Sequence, residues 1–125
     1  MIHGIGVDIV KTERMRAAVQ RWGDRFLHRV FTPDEISYAY SKNQPHLSLS
    51  VRFAAKEALV KALGGAVAVS FREIEVNSNP LGRPSLQVKG RLEEFFRSSG
   101  ITCAHVSLSH ERDYGIACVV LEGGR

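Results

Sequence analysis

The spacing of apolar residues changes several times along the chain, and each change predicts the boundary of a helix or strand. Residues 2–10 are rich in Ile and Val and predict a strand. Thr12 is placed to cap a helix that continues towards Trp22. Gly23 and Asp24 interrupt that pattern before a short turn through Val30. The first quarter of the chain therefore predicts one strand and one interrupted helix.

The middle of the chain carries the clearest helical signals. Residues 47–63 keep an apolar helical period, and Gly64-Gly65 ends it. A shorter helix precedes this one and should end near residues 42–43, before Pro45. Its start combines a threonine cap, a proline at the first helical position and a glutamate three residues after the cap, at Thr32, Pro33 and Glu35.

The second half alternates short apolar segments with turns. Its first two strands should form a hairpin around a turn at residues 77–82, and its last two should be joined by the polar turn at residues 110–113. This order predicts a single α+β domain over residues 1–125 with an antiparallel sheet. The predicted elements are strands at residues 69–76, 84–88, 103–108 and 114–121, and a helix at residues 91–97 that stops at Gly100.

Composition is that of an ordinary globular protein. The 125 residues are 44% hydrophobic, and no apolar segment approaches the ~20 residues that span a bilayer. The first residues lack the basic patch and apolar stretch of a secretion signal, so we expect a cytoplasmic protein. Cys103 and Cys118 lie in apolar segments without metal-binding spacing, and we expect small core residues with no disulfide.

Positive charge is concentrated in the first predicted helix, although the formal net charge is only +4. Such a cluster suits an anionic partner, whether nucleic acid, an acidic protein or phosphates, and it is equally typical of a solvated helix face. The basic residues are Lys11, Arg14, Arg16, Arg21, Arg25 and Arg29, against Glu13 and Asp24.

Two carboxylates are candidates for chemistry. Asp8 lies within an apolar strand, where it is either a solvated edge residue or a charge that needs a cation, a metal or hydrogen-bond donors. Phe53, Glu57 and Lys61 are four apart on one side of the long helix, with Arg52 in the adjacent row. One interpretation is that Glu57 and Lys61 form an exposed ion pair. The other is that Glu57 and Asp8 bind one Mg2+ together with substrate phosphates, and that Lys61 and Arg52 face those phosphates.

Nucleotide-binding motifs are missing from the sequence. There is no Gly-x-x-x-x-Gly-Lys-Ser/Thr loop, and Gly4-Ile5-Gly6 lacks the third glycine and the adjoining helix of a dinucleotide fingerprint. Ser109 and His110 are either phosphate ligands or plain turn residues. Their adjacency is weak support for a nucleophilic pair, since such partners need an orienting group and proximity in space.

Taken in order, these segments resemble the holo-acyl-carrier-protein synthase group of 4'-phosphopantetheinyl transferases over nearly the whole chain. The Gly-x-Gly-x-Asp strand at residues 4–8 and the Phe-x-x-Lys-Glu-Ala helix at 53–58 are similar to the family's two signatures. The hairpin at 71–84 and the Val-Ser-Leu-Ser-His strand at 106–110 resemble its later segments. Residues 64–70 depart from the family's pattern, because they lack its threonine and form a shorter loop. In the family, this loop borders the nucleotide part of coenzyme A.

The resemblance implies a fold in which an antiparallel sheet wraps around one long helix. It implies transfer of 4'-phosphopantetheine from coenzyme A to a serine of apo acyl carrier protein, releasing adenosine 3',5'-bisphosphate and supporting fatty acid biosynthesis. Asp8 and Glu57 would hold Mg2+, with Mn2+ as an alternative, and would act in catalysis with Lys61. The implied coenzyme A contacts are Arg52, Phe53, Lys61, Gly64, Pro84, Ser109 and His110.

The resemblance also gives the basic helix a partner, because the family's carrier protein is strongly acidic. It implies a homotrimer with active sites between subunits, and no nucleic acid or membrane partner. The implied carrier contacts are Arg14, Met15, Arg21, Arg25, Phe26 and Arg29.

Three other functions stay open on sequence alone. A small basic module could bind RNA or an acidic protein, although its aromatic residues are few and not interleaved with the basic ones. A second possibility keeps the fold but loses activity through the shortened loop. A third is a broad-specificity transferase for secondary-metabolite carriers, against which the length argues, because such enzymes fuse two halves.

Overall fold

The computed structural model describes residues 1–124, in which five strands and four helices follow one another. All strand pairs in these residues are antiparallel, which confirms the predicted α+β class. The elements are β1 (Ile2–Lys11), α1 (Thr12–Val30), α2 (Pro33–Tyr40), α3 (Pro45–Leu63), β2 (Ile74–Ser78), β3 (Pro84–Val88), α4 (Gly90–Ser99), β4 (Ile101–Glu111) and β5 (Tyr114–Gly123), with a 3-10 turn at Phe71–Glu73.

The long helix α3 packs directly on the sheet formed by β1, β5 and β4, in that order. Two glycines of β1 make this approach possible. A Cβ at Gly6 would overlap the Ala58 carbonyl oxygen of α3, and one at Gly4 would overlap that of Ala62. The Gly-x-Gly spacing therefore serves close strand–helix packing. Because side chains alternate along a strand, Asp8 faces α3 on the same side as both glycines.

A buried ion pair holds α2 against α3. Lys56 and Glu35 are both fully buried, and Lys56 Nζ lies 2.6 Å from Glu35 Oε1. The ammonium also donates to the main-chain carbonyls of Val30 at 2.8 Å and Phe71 at 3.0 Å. Glu35 completes the predicted capping box with Thr32, which confirms the start of α2. Lys56 thus joins the end of α1, α2 and the 3-10 turn to α3.

The face of the sheet turned away from α3 is apolar along β1 and β5, and its β1 part is exposed in the single chain. Ile5, Val7 and Ile9 of β1 are 67%, 59% and 58% exposed. A contiguous apolar surface of this kind marks an interaction site. The residues of β5 that pair with these three in register are Val120, Cys118 and Ile116.

Several predicted boundaries near the amino terminus are wrong. Thr12 does not cap α1, because Lys11 occupies the cap position and the Thr12 hydroxyl is buried without a partner. Its main-chain N–H instead donates to the Asp113 carbonyl at 2.6 Å. Gly23 does interrupt the helix, with φ 58° and ψ −141°, but helical structure resumes and reaches Val30.

Later boundaries also differ. The strand predicted at residues 69–76 begins only at Ile74, because residues 71–73 form the 3-10 turn. The last two strands are longer than predicted, so His110 lies within β4 and the turn shrinks to residues 112–113. Cys103 is exposed rather than a core residue, and both cysteines are free. Within residues 1–124, no helix is long and apolar enough to cross a membrane.

Candidate active site

A cavity of about 430 Å³ between β1, α1 and α3 contains both predicted metal ligands, and we call it the Asp8 cavity. Asp8 enters from β1 and Glu57 from α3. Lys61, one turn further along α3, donates to Asp8 Oδ1 at 2.9 Å and to the Val7 carbonyl at 3.2 Å. The side chains of Asp8 and Lys61 are 15% and 55% exposed, so the ammonium is solvated on the side away from Asp8.

Two carboxylates of the Asp8 cavity lie close enough to affect each other's charge. Burial raises the pKa of Glu57, the neighbouring Asp8 carboxylate raises it further, and Lys61 opposes both. The hydrogen bond to Asp8 raises the pKa of Lys61. No group of three His, Cys, Asp or Glu side chains within residues 1–124 could hold a metal by itself. Asp8 and Glu57 supply two hard oxygen donors, so Mg2+ could be held there only with water and substrate oxygens completing its shell.

Three predicted carrier-binding residues meet at the same cavity. Arg14, Met15 and Phe26 of α1 line it, together with the predicted coenzyme A contact Phe53. Met15 is only 3% exposed and packs in the core, so a docked protein could reach it only from within the cavity. The remaining predicted carrier contacts are exposed on α1, namely Arg21, Arg25 and Arg29.

A second cavity of about 560 Å³ contains Arg52, Pro84 and His110, and we call it the Arg52 cavity. Arg52 is only 4% exposed. Its Nη1 donates to Ser48 Oγ at 3.0 Å and its Nη2 to Ser78 Oγ at 3.2 Å, while its Nε is buried without a partner. Burial lowers the pKa of Arg52.

Two aromatic contacts complete the Arg52 cavity. The guanidinium carbon of Arg52 lies 4.2 Å from the centroid of the Tyr38 ring, and Lys42 Nζ lies 4.7 Å from the same centroid. No Asp or Glu is among the residues that line this cavity. It therefore holds two cations without a lining carboxylate, an arrangement that suits an anion. Sequence reasoning missed Tyr38, Lys42, Ser48 and Ser78, because only tertiary packing brings them to Arg52.

The two cavities share no lining residue within one chain. Arg52 and Phe53 are adjacent in α3 but open to different cavities, which divides the predicted coenzyme A contacts. Gly64 caps the end of α3 with φ 62° and is exposed. Ser109 is exposed on β4 and lines neither cavity. A single chain therefore does not bring the whole predicted coenzyme A site together.

Comparisons with known proteins agree with this architecture. Residues 4–119 match the model of the 4'-phosphopantetheinyl transferase superfamily. The chain is 47% identical over 125 residues to a holo-[acyl-carrier-protein] synthase of Halothermothrix orenii, covering 99% of this chain and 100% of that one. The chain belongs to the 4'-phosphopantetheinyl transferase superfamily.

Solved structures give the same result. The fold is similar to the holo-[acyl-carrier-protein] synthase of Neisseria meningitidis, with a TM-score of 0.90 and 36% identity over 98% of this chain and 99% of that one. It is also similar to the Helicobacter pylori synthase solved in complex with coenzyme A, with a TM-score of 0.82 and 32% identity over 94% of this chain and 99% of that one.

Proposed function

We propose that this protein is a holo-[acyl-carrier-protein] synthase that transfers 4'-phosphopantetheine from coenzyme A to a serine of apo acyl carrier protein. Similar proteins of H. orenii and N. meningitidis carry that name, and the H. pylori synthase was solved with coenzyme A. The observation that carries the proposal is the convergence of Asp8 and Glu57 in one cavity beside the basic helix α1. The reaction leaves adenosine 3',5'-bisphosphate, and we place it in the cytoplasm, as the family resemblance implies.

In this proposal Asp8 and Glu57 hold Mg2+, and Mn2+ satisfies the same donor set. The chemistry supplied by such an ion is neutralisation of charge on the phosphoryl oxygens. Lys61 orients Asp8 through its 2.9 Å hydrogen bond and adds a cation beside it. The carrier serine oxygen forms a bond to the phosphorus that bears pantetheine and gives its proton to a water or to a nearby carboxylate such as Glu57. The bond from that phosphorus to the bridging oxygen breaks, and this oxygen leaves as part of adenosine 3',5'-bisphosphate.

The carrier protein docks on α1 in this proposal. Arg14 and Phe26 reach the Asp8 cavity, so a serine bound there lies beside the carboxylates. Charge attraction to an acidic carrier accelerates association and weakens with added salt. The exposed residues that provide this attraction are Arg21, Arg25 and Arg29.

We also propose that the active protein is a homotrimer with each site shared by two subunits. The exposed apolar face of β1 supports this, because Ile5, Val7 and Ile9 need a cover in water. The separation of the Asp8 and Arg52 cavities supports it too, because two subunits could each contribute one of them. In that arrangement coenzyme A spans both cavities, with its nucleotide in the Arg52 cavity.

A transfer assay tests the function. Apo acyl carrier protein is incubated with the enzyme, coenzyme A and Mg2+, and its intact mass is followed. We expect a gain of one phosphopantetheine, lost with a chelator and in Asp8→Ala and Glu57→Ala. Glu94→Ala, an exposed carboxylate of α4, is the matched control and should keep full activity. No gain with several different carriers would refute the proposal.

Mixing inactive variants tests whether sites are shared between subunits. Asp8→Ala and Arg52→Ala should each be inactive, yet trimers reassembled from both contain sites with both intact residues. Activity should therefore return on mixing, and its failure to return would place each site within one subunit. Val7→Asp should dissociate the trimer in sedimentation velocity, whereas Leu81→Asp, 94% exposed in the hairpin turn, should not.

A further inference from the structure

Tyr38 is the aromatic partner of Arg52, the deeply buried cation in the wall of the Arg52 cavity. The guanidinium carbon lies 4.2 Å from the ring centroid, and Nζ of Lys42, an exposed residue just after α2, lies 4.7 Å from it. An aromatic face attracts both cations through its quadrupole. Arg52 Nη2 donates one of its two hydrogens to Ser78 Oγ, so the second is left for a ligand.

Two successive contacts between α2 and α3 fix the position of the Tyr38 ring. The first is the fully buried pair of Glu35 and Lys56, whose atoms are 2.6 Å apart. Tyr38 follows Glu35 by three residues, and Arg52 precedes Lys56 by four. Residues three or four apart lie on one face of a helix. The Tyr38 ring therefore contacts Arg52 one helical turn away from the ion pair. The ion pair therefore prevents the two helices from sliding at the cavity.

We propose that Tyr38 is a positioning residue that holds the Arg52 guanidinium ready to bind a phosphate monoester of the substrate. This inference rests on the proposed transfer from coenzyme A and deepens it. Without the ring, the long Arg52 side chain would gain other rotamers, and part of the binding free energy would go into ordering it again. Tyr38 itself need not touch the substrate.

The chemistry of the cavity selects the kind of phosphate. A monoester carries up to two negative charges, which match the two cations Arg52 and Lys42. The lining residues include no carboxylate that would repel a dianion. Coenzyme A has one phosphate monoester, on the 3' position of its ribose, and 3'-dephospho-coenzyme A lacks only that group.

Steady-state kinetics of Tyr38→Leu and Tyr38→Phe test the inference with both substrates. Tyr38→Leu should raise the KM for coenzyme A by about twofold to thirtyfold, from the range of cation–aromatic attraction, and leave kcat unchanged. Tyr38→Phe keeps the ring but loses the hydroxyl beside Arg52 and Ser78, so its KM should lie between those of the wild type and Tyr38→Leu. With 3'-dephospho-coenzyme A, Tyr38→Leu and the wild type should have the same KM. An unchanged KM for coenzyme A, or an equal rise for both substrates, would overturn the inference.

Calorimetric titration separates this inference from the proposed function. Coenzyme A and 3'-dephospho-coenzyme A are titrated into the wild type and Tyr38→Leu in the presence of Mg2+ but without a carrier protein. A loss of affinity in Tyr38→Leu that is confined to coenzyme A supports the positioning role even if no carrier is modified. Equal affinities of both proteins for coenzyme A would refute it, whatever the transfer assay gives.

Discussion

Replacing Lys56 with methionine removes one ammonium and keeps most of the apolar stem. Lys56 is 0% exposed, and its ammonium serves three acceptors at 2.6, 2.8 and 3.0 Å. Removing one partner of a buried pair costs ~3–5 kcal/mol, because the remaining charge stays buried without its counter-ion. Here that charge is Glu35, which has no exposed surface and keeps the main-chain N–H groups of Thr32 and Val76 as donors. We expect the free energy of unfolding to fall by about 3–5 kcal/mol, out of a total of roughly 5–15 kcal/mol for a domain.

Urea unfolding followed by circular dichroism measures this loss. All variants are compared at one protein concentration, because association contributes to apparent stability. The matched control is Arg16→Met, since Arg16 and Glu13 form a pair 3.5 Å apart with side chains 47% and 70% exposed. Such exposed pairs contribute ~0–1 kcal/mol, so the control should unfold close to the wild type.

A second substitution separates the charge effect from packing. Glu35→Gln in the Lys56→Met background removes the stranded carboxylate and should restore part of the lost stability. The expected coupling between the two positions is on the order of 1–3 kcal/mol, as for residues in one buried network. If Lys56→Met and Arg16→Met have the same free energy of unfolding, the buried pair does not hold α2. That result would also contradict the argument that the pair fixes the position of Tyr38.

Two further outcomes follow from packing and charge. Gly6→Ala should lower stability by ~1–3 kcal/mol and reduce transfer, because its Cβ meets the main chain of α3, whereas Gly124→Ala, with nothing within 4 Å, should melt like the wild type. Burial raises the pKa of Glu75, but hydrogen bonds from Thr32 and Lys89 outweigh it and lower the pKa below 4.5. This contribution to stability is therefore complete above pH 4.5 and is lost as pH falls through the lowered value, so in acid titration the wild type should lose more stability than Glu75→Gln. Equal losses would contradict the assigned direction.

Local signals predicted the helices best. The start of α2 was predictable because its capping box needs only residues 32–35, and the end of α3 because a glycine accepts the left-handed conformation. Asp8 and Glu57 were predictable as partners from their signatures, and the structure places them in one cavity. Each of these inferences uses residues that are close in sequence or sit in a recognisable motif.

Long-range packing explains what sequence reasoning missed. Lys56 lies next to Glu57 and four residues after Arg52, so its position in the helical pattern suggests a solvated side chain. The structure buries it, and its ammonium contacts Glu35 and two main-chain carbonyls from other elements. Tyr38 has no motif at all and acquires its role only when α2 docks on α3. Residues 71–73 look like a strand by composition, but the 3-10 turn brings the Phe71 carbonyl to Lys56.

The arrangement of α3 gives a physical reason for a shared active site. Arg52 and Glu57 are five residues apart, which places them on different sides of the helix, and each opens into its own cavity. The β1 part of the sheet face turned away from α3 is apolar, with Val7 59% exposed. In the proposed homotrimer, association through this β1 surface would cover it and bring an Asp8 cavity of one subunit to an Arg52 cavity of another. Dissociation of that trimer by Val7→Asp should therefore remove transfer, even though Val7 lines neither cavity.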